Sequence, residues 1–333
     1  MSVFALPGLN LSIKGSPRIF QVELEHLFQL CSNKDVVPDV TLQATAVPFP
    51  HFQNYLSSWI CRQLDLSFLD QQPSMLKGPD GSMAIAVRIE GVPYCAWTNK
   101  PEKKIYIVSA LRNGAYRSAP VQSILMPLLR ELLLCRQYLL IHGASAVTPG
   151  NVGVLFIAPS RGGKTTTMLS VLRQGGRMIA DDLSVLCPPY DTINIRGIPK
   201  LLNIRKSTAE FYPELGAHYK SFTKRPNGIS RFVSPKNIYG ESCMQSQAVL
   251  RNIYFIEISP DGPKAIKVTT ADAMRKLILS NAFIADQPVL PEAIIILSKI
   301  IDQTQIYYLK TGSDPAELGK WLAKNSSLHA REY

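Results

Sequence analysis

The stretch from Val152 to Asp182, VGVLFIAPSRGGKTTTMLSVLRQGGRMIADD, constrains this chain more than any other. The apolar run Val152 to Ile157 has the length and composition of a buried strand, and a loop of Pro, Ser and Gly breaks it. A helical pattern follows, with Met168, Leu169, Val171 and Leu172 on one side. Between strand and helix stands Ala158-Pro-Ser-Arg-Gly-Gly-Lys164-Thr165, close to the pattern G-x-x-x-x-G-K-[ST]. In that pattern the glycines let backbone N–H groups wrap a polyphosphate, the lysine neutralises it and the hydroxyl holds magnesium. The spacing predicts that Ser160, Arg161, Gly162, Gly163, Lys164, Thr165 and Thr166 line a nucleotide phosphate site. Ala158 replaces the first glycine, which is harmless only where the backbone is extended.

After the helix, Gly175-Gly176 is a stop signal, and Arg177 to Ala180 reads as a short strand delivering Asp181 and Asp182. Successive strand residues point to opposite faces, so the two carboxylates need not share one job. The plain alternative is a Gly-rich turn with a helix N-cap. An acidic pair only one helix away favours the phosphate site.

The run IHGASAV (Ile141 to Val147), a hairpin turn, GVLFIAPSRGGKTT and RQGGRMIADD together resemble the core of the HPr kinase/phosphorylase family and its relatives with a phosphoenolpyruvate-carboxykinase-like P-loop. The likeness runs over residues 135 to 200 and more weakly to 320. It implies a P-loop kinase domain of HPr-kinase-like type, α/β (α+β) in class, using ATP and Mg2+. By position the resemblance puts His142, Lys164 and Asp182 in the catalytic roles and Thr165 and Asp181 at the metal, the two aspartates dividing base and metal contact between them in either order. The family's loop usually reads G-x-S-G-x-G-K-[ST], so Ala158 and Arg161 stand where glycines are expected. Its E-I-R-G element is here Asn194-Ile-Arg196-Gly197, which implies a metal ligand at Asn194 without charge. No counterpart of the loop that engages the family's protein partner is evident, so the resemblance points to a divergent relative.

With 333 residues, and about 150 as a soft prior per domain, two domains are expected. One is a smaller N-terminal α+β domain for recognition or support over residues 1–120; the kinase domain covers 121–333. The first part offers apolar stretches over Val3 to Ile19, helices over Gln21 to Cys31 and His51 to Leu69, and strands at Met83 to Ile89, Val92 to Trp97 and Ile105 to Val108. His26 and His51 are lone histidines, read as structural or surface residues. A helix from Val121 to Cys135 contains Pro127. A strand over Tyr138 to Ile141 then presents His142, and a turn at Thr148 to Asn151 folds the chain back into the phosphate-loop strand, a hairpin that would place His142 near the mouth of the loop. Six cysteines without a C-x-x-C pair fit a reduced compartment with buried thiols. The opening MSVFALPGLNLSIKG lacks the features of a signal peptide, and no apolar run spans a bilayer, so a cytoplasmic protein without a membrane partner is expected.

Between Arg196 and Lys236 stand nine Lys or Arg against Glu210 and Glu214, a surplus of seven out of a formal net charge of +11. The tract Thr223 to Arg231 reads as a mobile loop within it. Beside a phosphate site such a segment can steer ATP and an anionic substrate. A solvated loop and a nucleic-acid surface are the other readings, the last without a recognised module behind it. Further on, Leu250 to Ile258 and Ile306 to Leu309 read as strands, Thr270 to Leu279 as a helix and Ala293 to Leu297 as core. Ser313 or Asp314 caps a last helix through Leu322.

These readings converge on an ATP-dependent kinase with a hydroxyl acceptor. Divergent relatives that tailor ribosomally made peptides, such as lasso-peptide precursors, make a peptide serine the first acceptor expected; a small-molecule hydroxyl is the second. A nucleotide-binding regulator or assembly factor without transferase activity is the reading from another class. It draws on Ala158, Arg161 and Asn194, whereas Lys164, Thr165 and both aspartates oppose it. A homo-oligomer is left open.

Overall fold

A computed structural model describes residues 2–6, 9–14, 39–64, 74–89, 91–99, 103–111, 121–187, 192–198, 201–215, 223–225, 228–280 and 290–329. The chain is a mixed α/β protein of two compact units, Met1–Arg136 and Gln137–Tyr333. Among the described residues no helix is long and apolar enough to cross a membrane.

In the first unit β1 (Ser2–Leu6), β2 (Leu9–Lys14), β3 (Val40–Pro48), β4 (Ser74–Lys77), β5 (Met83–Ile89), β6 (Val92–Asn99) and β7 (Lys104–Leu111) form one sheet. Their order is β1-β2-β3-β7-β6-β5-β4. The strands β2, β3 and β7 run parallel, and β7 to β4 form an antiparallel meander. The central β6 is buried continuously from Val92 to Thr98, as a strand covered on both faces must be. The helix expected over His51 to Leu69 is instead a 3-10 segment, Phe49–Tyr55, and a short α1 (Ser58–Gln63). Ser57 breaks them, holding extended angles of φ −63° and ψ 143°. His51 is exposed. Helix α2 (Val121–Leu134) carries Pro127 inside it and packs on β5 and β6 with Leu125, Leu128, Leu129 and Leu133 buried. Its contacts therefore group it with the first unit, although its sequence position suggested the start of the second. Residues 15–38, with the helix expected over Gln21 to Cys31 and with His26, lie outside the described residues.

The second unit is built on β8 (Leu139–His142), β9 (Ala144–Val147), β10 (Gly153–Ile157), β11 (Arg177–Ala180), β12 (Leu183–Cys187), β13 (Asn194–Gly197), β17 (Gln247–Glu257), β18 (Pro263–Lys267) and β19 (Gln305–Thr311). The long β17 joins two portions of this sheet. Its later residues pair in parallel with β10 and β19, and β9, β11 and β18 extend that portion. Its first residues pair with β13, which continues to β12 and β8, all antiparallel. Phe156, Tyr254 and Tyr307 stack across β10, β17 and β19 at 5.8 and 5.7 Å between ring centres. A small sheet of β14 (Leu202–Arg205), β16 (Gly228–Val233) and β15 (Thr223–Arg225) packs beside it in the order β14-β16-β15. The tract read as a mobile loop is thus an antiparallel hairpin, with Arg225 opposite Gly228 and Thr223 opposite Ser230. Neither short strand carries the apolar alternation that would mark it in the sequence.

Helix α3 (Lys164–Arg173) lies between the sheet and the last helix, with Met168, Leu169, Val171 and Leu172 all buried. Short helices α4 (Lys206–Ala209) and α5 (Lys236–Tyr239) and longer ones, α6 (Thr270–Ser280), α7 (Leu290–Gln303) and α8 (Pro315–His329), complete the unit. Asp314 caps α8 by accepting the Ala316 N–H at 2.8 Å. In α7, Ala293, Ile296 and Leu297 are buried but Ile294 and Ile295 face outward, so the run read as core is half of one helix face.

Helices α3 and α8 approach closely because Gly319 has no side chain: a Cβ there would stand 2.5 Å from the Ser170 carbonyl oxygen. Gly319→Ala should therefore push the helices apart and cost about 1–3 kcal/mol despite its better helix propensity. A thermal melt that is unchanged or raised would contradict this packing. A second expectation concerns pH. Burial pushes the Cys187 thiol up to about 11, with Arg196 opposing, and the Tyr254 phenol up to about 12. Burial raises Tyr212 and Tyr239 as well. Raised values mean that the folded protein holds these protons more tightly than the unfolded chain. The Cys187 contribution is complete below about pH 9 and is lost as pH climbs through 9 to 11, and that of Tyr254 is lost from about 10 to 12, where unfolding releases protons. Denaturant midpoints measured from pH 8 to 11 should fall steadily, and Cys187→Ala should flatten the first part of the fall.

Candidate phosphotransfer site

Besides β17, the chain crosses between the two portions of the sheet at two short links, and both fall at one edge. The first link is Gly143, between β8 and β9. The second is Asp181-Asp182, between β11 and β12. Register fixes them side by side, since His142 pairs with Leu183 and Ser145 with Ala180. Gly143 is required at the first crossing because a Cβ would lie 2.8 Å from Leu155 Cδ1 and 3.0 Å from the Phe156 carbonyl oxygen. The buried Ser184 hydroxyl donates to the Gly143 carbonyl at 2.9 Å and lies 2.9 Å from the Ser145 hydroxyl, pinning the crossing. At its outer side His142 Nε2 stands 2.8 Å from Asp182 Oδ1, both half-buried. Asp181 is almost fully buried and accepts the Asn203 backbone N–H at 3.3 Å. The adjacent carboxylates thus occupy different environments, Asp181 turned into the protein and Asp182 towards His142. They lie in the link between strands and not, as the sequence suggests, at the end of one.

The hairpin expected to bring His142 to the loop has a different second strand. The turn at Thr148 to Asn151 does fold the chain back into β10, with Thr148 and Val152 bonded across it. Its partner in that hairpin is β9, however, and His142 lies on β8, which pairs with β12. The sequence ASAV is too short and too small-sided to announce a strand.

At the end of β10 the loop 158–163 leads into α3. Strands β10 and β11 are both antiparallel to β9 and so parallel to each other, which sets Ala158 and Asp181 at the same sheet edge. Two interstrand steps separate them, about 10 Å. Ala158 is buried and is absent from the positive-φ residues, which meets the condition for a side chain there. Its methyl is accommodated by Gly162, where a Cβ would meet it at 2.7 Å. Arg161, in the other glycine position, has φ +68°, and Gly163 has φ +89°. A non-glycine residue in that region costs roughly 1–2 kcal/mol. The first intrahelical bond runs from Thr167 N–H to Gly163 C=O, so the amides of Lys164, Thr165 and Thr166 open the helix. Lys164 is buried, and its Nζ donates to the carbonyls of Ala158 at 2.8 Å and Pro159 at 3.2 Å. Ser160 and Arg161 are exposed.

Asn194 does not join this group. In β13 it lies opposite Cys187, whereas Gly197 is the residue opposite Ser184. Asn194 therefore sits at the far end of β12 from Asp182, about 16 Å along extended chain. Its assignment to the metal depended on a register that the short motif does not contain. Residues with no local sequence signal do reach the first turn of α3. Thr208 of α4 has its Oγ1 3.3 Å from Thr166 Oγ1, and the buried Tyr212 hydroxyl donates to the Thr166 carbonyl at 2.6 Å.

Among the described residues no three His, Cys, Asp or Glu side chains are grouped to hold a metal by themselves. A threonine hydroxyl and a carboxylate near a helix-opening loop fit magnesium carried on a nucleotide, which takes one or two protein carboxylates and completes its shell with phosphate oxygens and water.

No family model matches the sequence, and no curated protein matches it. Among solved structures the chain is similar to the Hpr(Ser) kinase/phosphatase from Coxiella burnetii, with 13% identity over 57% of this chain and 96% of that chain and a TM-score of 0.32. A likeness of that size is too slight to carry over fold details or activity.

Proposed function

We propose that this chain is an ATP-dependent phosphotransferase with a hydroxyl acceptor, a peptide serine before a small-molecule alcohol. The observation that carries the reading is the shared sheet edge: the Lys164 loop ends β10, and the His142–Asp182 pair, 2.8 Å apart, stands where two neighbouring chain crossings meet. Lys164 and the amides that open α3 hold the nucleotide phosphates. Thr165 and Asp181 hold magnesium, which neutralises charge on the phosphates when bound. Asp182 accepts the acceptor's hydroxyl proton, and His142 holds that carboxylate in position through its Nε2–H. The acceptor oxygen bonds to the γ-phosphorus as the bond to the bridging oxygen breaks, and ADP leaves with the electron pair.

Incubation with γ-labelled ATP, magnesium and a panel of serine peptides and small alcohols tests this. Label on an acceptor is the expected result. Release of label only as inorganic phosphate, or none at all, would overturn hydroxyl transfer.

A further inference from the structure

We propose that the segment from Leu202 to Leu215 is a strut that sets the position of the phosphate-loop helix relative to Asp181, with Thr208 and Tyr212 as its positioning residues. The proposal rests on the phosphotransfer reading above. The segment, which comprises β14, α4 and the turn after it, touches both halves of that site. At its start the Asn203 N–H bonds Asp181 Oδ2 at 3.3 Å. In its middle Thr208 Oγ1 meets Thr166 Oγ1 at 3.3 Å, and the Tyr212 hydroxyl reaches the Thr166 carbonyl at 2.6 Å. Towards its end Arg173, in the last turn of α3, bonds the Phe211 carbonyl at 3.5 Å and Glu214 at 3.1 Å, with its guanidinium 5.4 Å from the Tyr212 ring centre. Both ends of α3 are thereby fastened to the segment that holds Asp181.

The attachments are built into the core. Leu202, Ile204, Ala209, Tyr212 and Leu215 are buried in the same cluster as Met168 and Leu172 of α3. A segment so anchored resists sliding. This matters because Thr165 and Asp181 come from different elements, and magnesium tolerates little departure from octahedral distances of about 2.0–2.1 Å. A misplacement of about 1 Å in such a constellation can cost about a hundredfold. Thr166 is next to Thr165, so a bond to its carbonyl and one to its hydroxyl fix the turn that presents the metal-binding oxygen.

Tyr212→Phe removes one hydroxyl and keeps the ring in place, and Thr208→Val removes another at equal volume. Binding of a fluorescent ATP analogue would be titrated in EDTA and then against magnesium. Affinity in EDTA should stay within about twofold of the unaltered protein. The magnesium concentration for half-maximal enhancement should rise about 3- to 10-fold, the scale of one lost hydrogen bond. Tyr239→Phe is the comparison, since Tyr239 bonds Glu214 at 3.0 Å on the outer side of the same network. It should lower the melting temperature similarly without moving the magnesium dependence. If the analogue binds and neither Tyr212→Phe nor Thr208→Val shifts the magnesium requirement, the strut is overturned while the phosphotransfer reading stands. If the unaltered protein binds no analogue, that reading fails, and the strut fails with it.

Discussion

Replacing Lys164 with alanine will lower ATP affinity by about 10- to 150-fold, the loss of one charge-assisted hydrogen bond of roughly 1.5–3 kcal/mol. The lysine is buried at the start of α3 and holds the Ala158 and Pro159 carbonyls. Taking an ammonium out of water is costly, and a lysine bonded to the carbonyls of the loop itself is placed to offset that cost by meeting an anion held there. The substitution also leaves two carbonyls without this donor, so the melting temperature should fall modestly while the cooperative transition persists. Thr165→Ala should leave more of the nucleotide affinity and raise the magnesium requirement. Calorimetric titration with ATP separates these outcomes, and unchanged binding in both variants would remove the phosphate-site assignment.

Asp182→Asn should lower turnover by about 10²–10⁴ while changing ATP affinity only a few-fold, because an amide cannot accept the hydroxyl proton. His142→Gln keeps a hydrogen-bond donor but not the imidazole geometry, and its loss should be smaller, on the order of tenfold. Both residues are partly exposed, at 38% and 28% of their side-chain surface, so their pairing is of the kind that contributes little to folding. Melting curves of the two variants should therefore lie close to that of the unaltered protein. A collapsed transition in either would mean that the pair closes the two chain crossings rather than serving chemistry.

The contrast between these residues and Asn194 shows where the chain's sequence speaks and where it does not. The strand β10, the loop, α3 and β11 are written locally: an apolar run, glycines at the turns and a helical stripe all fall within Val152 to Asp182. The structure brings the ends of that stretch to one edge through β9, whose four small residues carry no strand signal of their own. The sequence ties His142 to the loop through a hairpin, but the residue that places it is Leu183, its partner on β12. A four-residue motif suggests Asn194 for the metal, and the register of β12 with β13 puts it at the other end of the strand. Tyr212 and Thr208 follow Thr166 by 46 and 42 positions and sit in a segment whose charge dominated its reading. Contacts of that sequence separation are set by tertiary packing, which neither periodicity nor capping encodes. The arginine at 161 is the reverse case: the glycine it replaces could be read from the motif, and the backbone keeps the left-handed angle that the glycine would have used.

The most direct measurement is a phosphorus NMR time course of the protein with ATP, magnesium and a hydroxyl acceptor. The account predicts that the γ-phosphate resonance declines only when acceptor is present, with matched growth of ADP and one phosphoester signal. The same signals should be slowed at least about a hundredfold in Asp182→Asn. Spectra that stay unchanged, or ADP formation that is independent of acceptor and equal in the Asp182→Asn variant, would contradict it.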